Sequence, residues 1–121
     1  MKQVVAGVDI GGTNTIFGLT DRDGKVLAEN RILTRDYPDI NDFVTALSEA
    51  ILKLVTDDVE LLGIGIGAPN AHYYKGTIEL APNLPWKGVI PLAEMMKTKS
   101  GVPVVVTNDA NAAAVGEMVF G

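Results

Sequence analysis

Three short segments carry residue types that suit phosphate and hydroxyl chemistry. The first is Asp9-Ile10-Gly11-Gly12-Thr13. Adjacent glycines allow a turn whose backbone N–H groups point outward with no side chain in the way, a concavity that binds anions. Thr13 adds a hydroxyl donor, and Asp9 can hold magnesium through water, since that ion keeps part of its hydration shell. The same residues also read as a plain Gly-Gly hairpin with Asp9 at its edge. The second segment is Asn108-Asp109. An ionised Asp109 can orient a substrate hydroxyl and accept its proton during phosphoryl transfer, and Asn108, both donor and acceptor, suits vicinal hydroxyls. Asp109 reads equally as a helix cap. The third is Ala81-Pro82-Asn83-Leu84-Pro85-Trp86, in which Asn83 can reach those same hydroxyls and Trp86, the only tryptophan, reads as a packing anchor.

Two other patterns point away from better-known sites. No GxxxxGK[ST] loop occurs, so this is not a Walker nucleotide site. Gly63-Ile64-Gly65-Ile66-Gly67 is spaced GxGxG and lies inside an apolar run. Alternation places its three glycines on one face of a strand, which reads as close helix packing ahead of ligand contact. His72, beside Tyr73 and Tyr74, is given a surface loop position and no catalytic role, and none is assigned to Glu117.

The elements that must position these residues are legible from periodicity. Residues 4–10, 14–20 and 26–34 read as strands, the last two joined through an Asp-Gly turn at 23–24. Asp39 or Asn41 caps a helix whose apolar stripe is Phe43, Val44, Leu47, Ala50, Ile51, Leu54 and Val55. Residues 61–68 form a strand apolar enough to be central and parallel. Residues 69–89 read as an irregular excursion with a small hairpin near Lys75-Gly76. Pro91 opens a short helix ending near Gly101, 102–107 is a strand, and a helix follows from Asp109. The predicted order is βββαβαβ followed by a carboxy-terminal helix: an α/β fold on a mixed sheet, with three antiparallel strands and two parallel ones. In such sheets ligands gather beyond the carboxyl ends of the parallel strands. Asp9 to Thr13, Gly67 to Asn70 and Thr107 to Asp109 all fall there.

Composition bounds the rest. The 121 residues suit one domain, and 47% hydrophobic content is enough for an ordinary core. A net charge of −5 argues against a nucleic-acid partner. With no cysteine, neither a disulfide nor a cysteine-ligated zinc site is available within these residues, which fits a cytoplasmic setting. The apolar start is broken at Asp9 and the glycines, so no membrane span or signal peptide is expected.

Taken together and in register, DIGGTN, GIGIGAPN, APNLPW and TNDANAAAVGE resemble the ROK family (repressors, open reading frames and kinases), with its glucokinase branch the nearest match. The resemblance implies an actin-like, ribonuclease-H-like ATPase domain. It makes residues 1–121 the amino-terminal one of two such domains, the second being absent from this chain. It implies phosphorylation of a hexose, glucose foremost, at its 6-hydroxyl by ATP with Mg2+. Asp109 is then the catalytic base; Asn70, Asn83, Asn108 and Asp109 meet the sugar; Asp9, Gly11, Gly12 and Thr13 hold the phosphates, Asp9 on the magnesium side. A structural zinc is expected only in the missing carboxy-terminal part, and a homodimer or tetramer in the full-length protein. On this reading the 121 residues alone are inactive, and Gly12→Val mainly weakens MgATP binding. Two residues depart from the family pattern: Asn14 where Lys is frequent, and Asn70 where Gly is usual. Asn is the residue after Gly most tolerant of a left-handed backbone. The alternatives are a sugar-responsive regulator, a non-catalytic sugar- or nucleotide-binding module, or a kinase for N-acetylmannosamine, fructose, mannose or allose. Repressors of the family carry a winged helix ahead of the phosphate loop, whereas here the loop begins near residue 1 and the charge is acidic.

Overall fold

The computed structural model describes residues 1–108 of the chain. Three β-rich runs form an antiparallel meander: β1 (Lys2–Ile10), β2 (Asn14–Asp21) and β3 (Val26–Leu33). A 3₁₀ turn over Thr34–Asp36 leads to helix α1 (Ile40–Leu54). Of the two caps open to it, the helix uses Asp39, whose Oδ1 accepts from the Asn41 amide at 2.8 Å. Strand β4 (Val59–Gly67) returns parallel to β1. After β4 come β5 (Ala71–His72), β6 (Thr77–Glu79) and β7 (Val89–Ile90), then helix α2 (Leu92–Ser100) and strand β8 (Val104–Thr107), parallel to β4. The main sheet has five strands in the order β3-β2-β1-β4-β8, as the sequence pattern predicts. The carboxy-terminal helix expected from Asp109 lies outside the described residues.

The excursion is more regular than expected. Its hairpin pairs Ala71 with Ile78 and His72 with Thr77, and β7 adds a third strand to make a small separate sheet. Two residues ahead of a proline are too short to show alternation, so β7 leaves no trace in the pattern. β8 starts two residues later than expected, at Val104. Pro103 has no N–H to give the ladder, yet its carbonyl accepts from the Ile64 amide at 2.9 Å.

One face of the sheet makes the core. Val4, Ala6, Val8 and Ile10 alternate inward from β1, joined by Phe17, Leu19, Ile64, Ile66 and Val106. They meet Phe43, Leu47 and Ile51 from the stripe of α1, and Leu92 and Met96 from α2. Each such side chain, fully buried, contributes roughly 1.5–3 kcal/mol. Helices α1 and α2 thus lie on the isoleucine side of β4. On the opposite face Gly18, Gly7 and Gly65 stand in one cross-strand row on β2, β1 and β4. Among the described residues no helix is long and apolar enough to cross a membrane.

The β2–β3 turn carries its own charge device. Asp21 Oδ1 accepts from the amides of Asp23 (2.9 Å) and Lys25 (3.0 Å), and Oδ2 lies 3.6 Å from Lys2 Nζ. The Lys25 amide foremost holds this carboxyl below the usual aspartate range, against the opposing effect of burial; the Asp23 amide and Lys2 add to it. A depressed carboxylate contributes stability above its unfolded-state pKa and loses it as pH falls through the folded one. Asp21→Asn is therefore expected to lower stability at neutral pH and to approach the parent in acid, as the carboxyl protonates. Urea unfolding at neutral pH and in acid checks this; a difference that persists in acid would assign the effect to something other than charge.

Candidate active site

Register brings the three predicted strand ends together. Asp9 on β1 pairs with Gly67 on β4, and Gly67 with Thr107 on β8. The row is locked by the Ala68 amide donating to the Thr107 carbonyl at 3.0 Å. Registered residues share a face, so Asp9 and Thr107 lie on one side of the sheet about 10 Å apart. Gly67 between them contributes no side chain. Asn108 follows at once and is exposed. Asp109 is the next residue in the chain and lies outside the described residues.

The Gly-Gly turn sits at the head of this row. The Gly11 amide donates to the Asn14 carbonyl at 2.9 Å, closing the connection between β1 and β2. Neither Gly11 nor Gly12 has a left-handed φ, so conformation is not what demands glycine here. Space is. A Cβ on Gly11 would lie 3.1 Å from the Asn14 carbonyl oxygen, and one on Gly12 only 2.8 Å from the backbone oxygen of Asn83. The third segment therefore lies directly on the first. Gly12 and Thr13 are exposed, with the Thr13 carbonyl accepting from the Thr34 amide at 2.9 Å.

A buried hydroxyl pair supports the turn from below. Thr15 and Thr34 are both fully buried, their Oγ1 atoms 2.7 Å apart. The sequence reading passes over both. Thr15 occupies an inward position of β2 that alternation gives to an apolar residue, and that polar intrusion is the one signal available. Thr15→Val should strand the Thr34 hydroxyl and cost about 1–3 kcal/mol, whereas replacing both by Val should recover much of it. A double-mutant cycle by urea unfolding tests this, and strict additivity would rule out the pair. Asn14 Oδ1 is also buried at this turn, without a hydrogen-bond partner.

The segment Ala81 to Trp86 is held at both ends. Ala81, Leu84 and Trp86 are buried, and the Leu84 amide donates to the Ala81 carbonyl at 3.3 Å, folding Pro82 and Asn83 into a turn. Trp86 Nε1 donates to the Tyr37 carbonyl at 2.8 Å, and its ring packs on Phe43 at a centroid distance of 4.4 Å. It is the packing anchor expected, and not a sugar platform. Asn70 has the left-handed φ of 57° that its place in the pattern demands. Its amide is committed to backbone: Nδ2 donates to the carbonyls of Glu79 (3.2 Å) and Leu80 (3.0 Å).

His72 stands on the small sheet, half exposed, 3.7 Å from Glu79. Thr77 first, then His72 and Lys75, hold the Glu79 carboxyl below its usual range, opposed by burial. Among the described residues no three His, Cys, Asp or Glu side chains gather in a way that could hold a metal ion. The groups at the turn (one carboxylate and the exposed Gly12 and Thr13) instead suit an ion that arrives with its own phosphates and water.

Residues 5–121 match the ROK family. A glucokinase of Streptomyces coelicolor is 39% identical over 116 residues, covering 95% of this chain and 35% of that protein. A xylose repressor of Caldicellulosiruptor bescii is 34% identical over 122 residues, covering 97% of this chain and 30% of that one. Among solved structures, a ROK family glucokinase from Streptomyces griseus in complex with glucose and AMPPNP is similar with a TM-score of 0.77 and 36% identity, covering 98% of this chain and 37% of that one. The chain spans about a third of the length of the curated relatives it matches. The fold shared with these structures is the actin-like ATPase fold.

Proposed function

Because the chain belongs to the ROK family, we propose that it forms the amino-terminal domain of a two-domain kinase that phosphorylates a hexose, glucose foremost, at the 6-hydroxyl. The observation that carries this reading is the contact of Gly12 with the Asn83 backbone at the head of the Asp9–Gly67–Thr107 row. It sets an anion-binding turn beside hydroxyl-reading amides. Gly12 and Thr13 offer N–H and hydroxyl donors to the phosphates of ATP, while Gly11, whose own N–H donates to the Asn14 carbonyl, closes the turn that presents them. Asp9 is the carboxylate that would hold magnesium through water, and that ion, bound with ATP, would neutralise the transferring phosphoryl charge. Asn83 and Asn108 orient the sugar. Asp109 accepts the proton of the 6-hydroxyl as its oxygen attacks phosphorus.

The test is a coupled ATP-consumption assay on the full-length protein with a panel of hexoses and N-acetylhexosamines. Turnover with glucose above the other sugars supports the reading. A second reading is favoured by the 34% identity to a xylose repressor. On that reading the protein is a sugar-responsive regulator, and the assay would show no turnover while calorimetry shows sugar binding.

A further inference from the structure

Asn70 and Leu80, the two non-glycine residues with a left-handed backbone among those described, are bonded to each other. Their φ angles are 57° and 55°. Asn tolerates that conformation and Leu does not. The Leu80 side chain is 73% exposed, so packing does not hold it there. Hydrogen bonds do. The Asn70 Nδ2 donates to the carbonyls of Glu79 and Leu80, the Asn70 carbonyl accepts from the Glu79 amide at 3.1 Å, and the Leu80 amide donates to the Gly88 carbonyl at 3.0 Å. Strain of this kind persists only where its surroundings over-determine it. Leu80 is also the last residue before the turn that lays Asn83 on Gly12. Were Leu80 to relax to a negative φ, the chain would leave in another direction and Asn83 would move off the phosphate turn.

We propose that Asn70 is a positioning residue: it clamps Leu80 in the left-handed state and so fixes Asn83, without itself touching the sugar. This rests on the hexose-kinase reading above. Two substitutions separate the clamp from the backbone. Asn70→Gly keeps a left-handed residue and removes both Nδ2 bonds. Asn70→Asp keeps the size and turns an acceptor toward two carbonyl oxygens.

The experiment uses the full-length protein and reads steady-state kinetics with glucose and its monodeoxy analogues, alone and in an Asn83→Ala background. Native-state hydrogen exchange at the amides of Glu79, Leu80 and Leu84 is read in parallel. In Asn70→Gly, glucose KM should rise about three- to tenfold, the worth of one ordinary hydrogen bond or slightly less, and further in Asn70→Asp. The factor should be the same for every deoxy analogue, and it should vanish once Asn83 is Ala. The three amides should exchange about three- to tenfold faster. An effect confined to one sugar hydroxyl would make Asn70 a direct ligand and overturn the proposal. So would a KM effect that adds to that of Asn83→Ala, an unchanged KM, or unchanged exchange. A parent protein that turns over no sugar defeats the kinase reading alone, and the exchange rates then still support or overturn the clamp.

Discussion

Asp109→Asn in the full-length protein is expected to lower kcat by about 10²–10⁴-fold, the usual worth of a positioned acid–base group, while hexose KM stays within about threefold. Asn matches Asp in size and still accepts a hydrogen bond from the 6-hydroxyl, which preserves ground-state binding. It cannot take the proton. Asn also caps a helix about as well as Asp, so any capping by Asp109 survives the change and only the chemistry is removed. Steady-state kinetics with saturating ATP measure both parameters. A kcat within tenfold of the parent would end the assignment of Asp109 as base, and a large rise in KM with kcat intact would make it a binding residue only.

Gly12→Ala should be nearly as damaging as Gly12→Val, and to both substrates. The sequence alone implies a nucleotide defect, since Gly12 reads as part of the phosphate turn. The structure adds a second partner: a Cβ at residue 12 would lie 2.8 Å from the Asn83 backbone oxygen. Backbone does not swing aside as a flexible side chain does, so either the turn or the Asn83 segment must shift. Overpacking of this kind costs about 1–3 kcal/mol. Shared between the two sites, that corresponds to a rise of about 2–13-fold in the KM of each of ATP and hexose. Gly11→Ala is the control, because its Cβ meets the Asn14 oxygen at the gentler distance of 3.1 Å. Separate KM determinations decide the matter; a change in ATP KM alone would mean that the Asn83 segment yields without cost.

What could be read from the sequence follows the range of the interactions. Apolar alternation in β1 and β4 and the helical stripe of α1 are local patterns, and they placed the five-stranded sheet correctly. The Gly-Gly turn was legible for the same reason; the strand-end row followed from the parallel strands the pattern implies, and Trp86 was read as an anchor from its residue type alone. The contacts that build the candidate site are not local. Gly12 meets Asn83 across 71 positions of sequence, and Thr15 meets Thr34 across 19. Asn70 is implied to meet the sugar by the resemblance alone. Its commitment to the Glu79 and Leu80 carbonyls depends on a hairpin whose third strand, β7, is two residues long. Nothing in residue type announces that Leu80 will take a left-handed backbone.

The order of strands across the main sheet also sets an order of assembly. β1, β2 and β3 are neighbours in both sequence and space, so their pairing closes only short loops. β4 is separated from β1 by the meander and α1, and β8 from β4 by the small sheet and α2, so both pairings close longer loops. Entropic cost of loop closure makes such late, long-range pairings slow. β8 is also the shortest strand of that sheet, four residues paired to β4. Opening it alone would separate Thr107 and Asn108 from Asp9 while the meander stayed intact. Competence for phosphoryl transfer would then fail at a lower temperature than the fold, and bound substrate, by bridging β1 and β8, would act as the missing staple.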